Sequence, residues 1–164
     1  MKIEPEEKRV KDCMHPVSEY PKVGYRTKLR EAIAALKQGG YPVVDCLLVT
    51  DTDRVDDGRI VGFLTPRQIL RGLEPDFFQQ DEAPVLWSGL FNELCRRGLE
   101  KEVGEMMVPL EETVHKNASL MKALYVMDSL DARRLAVSDG QEIIGVLCLS
   151  DIYKQVEDIS AAEA

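Results

Sequence analysis

The chain has 164 residues, 45% of them hydrophobic and 30% charged, with a formal net charge of −8. This suits one compact domain or two small repeats sharing a core. It argues against a broad nucleic-acid footprint, which needs clustered Lys and Arg. No run of 18 apolar residues is present and the charged stretch Met1 to Lys11 lacks a signal-peptide core, so a cytoplasmic protein without membrane insertion is expected.

In chain order, Val10-Lys-Asp-Cys-Met-His-Pro16 leads into the short β-prone segment Lys22-Val23. A helix follows, with Thr27 as candidate N-cap, Leu29, Ile33 and Leu36 at i, i+4, i+7, and Gly39-Gly40 at its end. The run Val43 to Val49 predicts a strand, Asp51 to Gly58 a turn, and Ile60 to Leu64 a second strand. Thr65 as N-cap with Pro66 behind it predicts the next helix. Glu74 to Pro84 reads as an acidic loop. Val85 to Leu99 reads as a helix with Leu86, Leu90, Phe91 and Leu94 on one side and Trp87 beside them, packing on the rest of the chain or forming an oligomer interface.

The same order then recurs. Val103-Gly-Glu-Met-Met-Val-Pro109 precedes Thr113-Val114 and a helix capped by Asn117 or Ser119, with Leu120, Leu124 and Met127 on one face. A strand at Leu135 to Val137, a turn at Ser138 to Gly140, a strand at Ile143 to Leu147 and a helix capped by Ser150 complete it. Val10 and Val103 differ by 93 positions, Leu29 and Leu120 by 91, Ile60 and Ile143 by 83. Pairing Tyr41-Pro-Val-Val44 with Leu135-Ala-Val137 places an insertion of about 11 residues in the first copy, around 49–58. The chain thus divides into a first repeat at 1–74, an intervening loop and helix at 75–102, and a second repeat at 103–158.

Cys13, Cys46, Cys95 and Cys148 are far apart, and with two histidines they suggest no zinc site and no disulfide framework; buried, reduced thiols are expected. The Asp51 to Asp57 run is not a Ca²⁺ loop, because its twelfth position is Gly62 rather than Glu. Glu111-Glu112 reads as a charged turn, His15 and His115 as surface or capping residues. No nucleophile–base pair or phosphate loop appears, so the chain is not read as an enzyme.

The order M-x-P, V-x(5)-L-x-x-A, P-V-V, V-G-x-[LV]-[ST]-x-x-D-I resembles the cystathionine-β-synthase (CBS) domain in its tandem arrangement, the Bateman module, across Val10 to Val156. The resemblance implies an α/β (α+β) fold. Two βαββα repeats pack with pseudo-two-fold symmetry, and here an inserted helix lies between them. It also implies a stand-alone regulatory module, commonly a homodimer, that signals to a regulated protein. AMP, ADP, ATP or S-adenosylmethionine would bind between the repeats, with no cofactor required.

In the family motif G-x-x-[ST]-x-[ST]-D, hydroxyls face phosphate and the carboxylate holds the ribose. The main cleft so implied comprises Cys148, Ser150 and Asp151, with Cys148 replacing the usual hydroxyl. Its far wall is Pro21, Lys22, Val23, Gly39, Gly40 and Tyr41, with Tyr41 available to stack on a base. The second, weaker cleft comprises Thr65, Arg67 and Gln68 with Thr113, Val114, Arg134 and Leu135. There Gln68 replaces the acid, Pro66 removes an N–H donor and Arg134 would meet phosphate. Alternatively, both clefts have decayed and the module serves structure and dimerisation.

Overall fold

The computed structural model describes residues 6–73 and 88–163. Trp87, the acidic stretch Glu74 to Pro84 and the start of the helix expected from Val85 lie outside them. The described chain forms two compact units, one from residues 1–19 and 110–164, the other from 20–109.

In the first unit, β1 (His15–Pro16) lies antiparallel to β8 (Ile143–Cys148). β8 pairs antiparallel with β7 (Arg134–Ser138), which runs parallel to β6 (Thr113–His115). In the second unit, β2 (Lys22–Gly24) runs parallel to β3 (Leu47–Thr50). β3 pairs antiparallel with β4 (Ile60–Leu64), and β4 with β5 (Val108–Pro109). The first unit adds helices α1 (Val10–Cys13), α5 (Leu120–Leu130) and α6 (Leu149–Glu163). The second adds α2 (Leu29–Gln38), α3 (Pro66–Leu73) and α4 (Leu90–Gly98).

The units cut across the sequence repeats, because the leading segments are exchanged. β1 lies at the start of the first repeat yet completes the sheet of the second, and β5, at the start of the second, completes the sheet of the first. The exchange is reciprocal down to single hydrogen bonds. The Val10 N–H donates to the Ala118 carbonyl at 3.1 Å, and the Val103 N–H to the Thr27 carbonyl at 2.8 Å. Two glycines make room for it. A Cβ on Gly145 would lie 2.7 Å from Met14 Sδ and 2.8 Å from the His15 carbonyl oxygen. One on Gly62 would lie 2.7 Å from Met107 Sδ and from the Val108 oxygen. The glycines of Val61-Gly62 and Ile144-Gly145 are therefore the floors on which the exchanged M-x-P segments rest.

The cores correspond position by position. Val114, Ala123, Met127, Val137 and Leu147 with Val10 fill the first unit. Val23, Ala32, Leu36, Val49 and Leu64 with Val103 fill the second. Burial of this apolar surface is the main force holding each unit together.

Several sequence expectations change. Residues 41–44 form a turn, not a strand, and Val43 is 92% exposed; β3 begins only at Leu47. Val49 and Val137 are the true equivalents, each paired with its motif glycine. The surplus of the first copy is accordingly shared between the β3–β4 turn and the α2–β3 junction. On α2, Ala32 rather than Ile33 joins Leu29 and Leu36 in the core. Thr27 does not cap α2: the cap residue is Lys28, without a side-chain bond, and the Leu29 and Arg30 N–H groups donate to the carbonyls of Lys101 and Leu99. Ser119 does cap α5, its Oγ accepting from the Lys122 N–H at 3.1 Å. On α4, Leu90 is buried but Phe91 is exposed. Of the cysteines, only Cys46 is fully buried; none is in a disulfide. Among the described residues, no helix is long and apolar enough to cross a membrane.

Candidate functional site

The β8–α6 junction concentrates the chemistry of the first unit. β8 ends at Cys148 and α6 starts at Leu149, so Ser150 is the second helical residue and not the N-cap expected for it. Asp151 is the third. Its Oδ2 accepts from the Cys148 N–H at 2.8 Å, which is half of a capping box. A carboxylate here also complements the positive end of the α6 dipole. The first turn of a helix leaves main-chain N–H groups without intrahelical acceptors; one of them, on Leu149, donates to the Arg133 carbonyl at 2.8 Å.

The second oxygen of Asp151 has a partner that motif reasoning missed. His15, delivered by the exchanged strand β1, places Nε2 2.8 Å from Asp151 Oδ1. Its Nδ1 lies 3.1 Å from Glu19 Oε2. The hydrogen bond to Asp151 chiefly raises the imidazole pKa above 6.5, with Glu19 adding to it and burial opposing it. Nearby, burial is the main cause pushing the Cys13 thiol upward. The available signal for His15 was its place in Met14-His15-Pro16, where the other copy carries Val108, together with Glu19 four residues on. His115, by contrast, is an exposed residue: its Nδ1 accepts from the Asn117 N–H at 3.1 Å in the turn before α5, whose cap is Ser119.

Arg134 stands directly opposite Cys148 in the β7–β8 register. Thr113 is exposed at the start of β6, whereas Val114 and Leu135 bury their side chains in the core.

In the second unit, Thr65 precedes α3, Pro66 opens it, and Arg67 is exposed. The Thr65 hydroxyl donates to Gln68 Oε1, so the residue in the acid's position is engaged with its own helix start. Pro21 and Gly39 are brought together, as a Cβ on Gly39 would lie 2.7 Å from Pro21 Cγ. Lys22 and Val23 continue along β2, with Val23 buried and Lys22 half-buried. Gly40 adopts φ +107°, a left-handed turn that glycine accommodates, and Tyr41 beyond it is 50% exposed. The expected main-cleft residues thus fall into two sets, three at the β8–α6 junction of one unit and six around β2 and the end of α2 in the other.

The CBS domain family matches residues 10–75 and 103–158. No curated protein sequence matches the chain. Among solved structures, the CBS-pair protein CBSX2 from Arabidopsis thaliana is similar at 22% identity, covering 95% of this chain and 99% of that one, with a TM-score of 0.67. CBSX2 in complex with AMP aligns at 22% identity over 93% and 98% of the two chains, TM-score 0.63. The cytosolic domain of the Mg²⁺ channel MgtE in complex with ATP aligns at 20% identity over 91% of this chain and 49% of that one, TM-score 0.61. The two matched segments are the two copies that the core and the glycine floors repeat, and the chain belongs to the CBS domain family as a tandem pair.

Proposed function

We propose that the chain is a non-catalytic regulatory module that senses an adenine nucleotide or a related adenosyl ligand and passes its state to a separate regulated protein. The observation that carries this reading is the fixed carboxylate of Asp151 at the start of α6. A carboxylate offers about four lone-pair sites. The Cys148 N–H and His15 use one on each oxygen, leaving one on each for a pair of vicinal ribose hydroxyls. Ser150 and the first-turn N–H groups of α6 would face phosphate. The CBS resemblance gives the adenine to Pro21, Lys22, Val23, Gly39, Gly40 and Tyr41, of which Tyr41 is 50% exposed. Structures of the same fold hold AMP in CBSX2 and ATP in MgtE, which supports the ligand class. Calorimetry with AMP, ADP, ATP and S-adenosylmethionine tests it. Saturable heat with at least one of them below millimolar concentration is expected; silence with all four at millimolar would end the proposal.

A second reading, a ligand-free module that dimerises, is favoured at the other junction. There Gln68 pairs with Thr65 and Pro66 supplies no N–H, so Thr65, Arg67, Gln68, Thr113, Val114, Arg134 and Leu135 would make a weak or empty site. Tyr153, Val156 and Ile159 are exposed along α6 and suit a second copy of the chain. Light scattering that returns a monomer, unchanged by Val156→Glu, would count against the dimer.

A further inference from the structure

The histidine beside Asp151 has no counterpart in the other copy, where Val108 fills its place on β5. Its two ring nitrogens each face a carboxylate, Asp151 on one side and Glu19 on the other. A neutral imidazole has one N–H and one lone pair, so it satisfies one carboxylate and points a lone pair at the other; only the imidazolium donates to both. The geometry therefore specifies a cation. The register partners of β1 on the opposing strand are apolar: β8 faces His15 with Val146 and Pro16 with Gly145. Other titratable or charged groups near Asp151 are the Cys13 thiol on α1, Cys148, whose N–H bonds Asp151, and Arg134, which stands opposite Cys148 on β7.

We propose that His15 is a proton-dependent positioning residue for the Asp151 site: as an imidazolium it fixes the carboxylate and offsets its charge toward an anionic ligand, so nucleotide affinity falls as His15 loses its proton. The proposal rests on the reading of Asp151 as the ribose-binding carboxylate. By linkage, an anionic ligand seated there also holds the proton on His15.

Two readings on the whole chain test it. The first is an NMR titration of the two histidine rings, assigned with His115→Asn. His15 is expected to titrate above 6.5, and Asp151→Asn, which keeps the shape of the cap, should bring it down. The second is AMP affinity against pH for wild type and His15→Gln. Taking the ratio of the two cancels the titration of the phosphate itself. The ratio should be about fivefold in favour of wild type below the His15 midpoint, the scale of a partly exposed charge pair, and approach one above it. A ratio that does not change with pH, or a His15 titration at or below 6.5 that Asp151→Asn leaves in place, overturns the proposal. If AMP binds at no pH while His15 titrates high and depends on Asp151, the nucleotide reading fails and the proton site stands.

Discussion

Thr65 and Cys148 hold the same place in their units, each the last residue before a helix, and three residues further on stand Gln68 in one and Asp151 in the other. The two junctions hold corresponding places in the chain, but their side-chain wiring differs. In the second unit the pairing is local, hydroxyl to amide within one turn. In the first it is long-range, from α6 to a histidine 136 positions earlier in the chain. Where the constraint is volume, as at the glycine floors and in the two cores, the copies have stayed alike. Where it is chemistry, one copy keeps a charged, oriented carboxylate and the other a neutral side chain bonded to itself.

The largest effect should come from filling the glycine floors. Gly62→Ala and Gly145→Ala each put a methyl against a backbone oxygen that cannot yield easily, and each should cost about 2 kcal/mol in urea unfolding. Similar losses in the two variants support the equivalence of the units; a loss confined to one breaks it. The helix caps separate the copies more finely. Ser119→Ala removes a real side-chain cap and should cost about 1 kcal/mol. Lys28→Ala should leave α2 with its main-chain caps, since the carbonyls of Leu99 and Lys101 do that work.

A smaller effect, and one particular to the first unit, depends on pH. The folded-state pKa of His15 is raised above its ordinary 6.5. The stabilisation from its carboxylate partners is therefore fully present below 6.5 and is lost as pH rises through the raised value. His15 is 43% exposed, so solvent screening limits the contribution to about 0.5 kcal/mol. The unfolding difference between wild type and His15→Ala should be largest near pH ~5.5 and shrink on the alkaline side. A difference that grows with pH would mean His15 acts through packing instead.

The duplication was legible in the sequence because matching apolar positions and the glycines after Val61 and Ile144 recur in one order, and the CBS resemblance followed from it. Three features were not legible. The exchange of β1 and β5 leaves no local trace, because each segment reads as a strand whichever sheet it joins. The valines at 43–44 mimic a strand, yet the chain spends them in a turn and starts β3 at Leu47. The cap of α2 is made by main-chain carbonyls some 70 residues away, for which no residue type is diagnostic. The first of these also hid the contact between His15 and Asp151: the motif singles out Asp151, but His15 meets it only because the exchange brings β1 beside β8.

The most direct test compares the two junctions in one calorimetric experiment. AMP should bind wild type and Gln68→Ala alike, at one site per chain. Asp151→Ala, which removes both proposed ribose acceptors along with the bond to His15, should weaken binding at least tenfold, the scale of one charged hydrogen bond. Unchanged affinity in Asp151→Ala, or a loss of binding in Gln68→Ala instead, would contradict the assignment of the site to the β8–α6 junction.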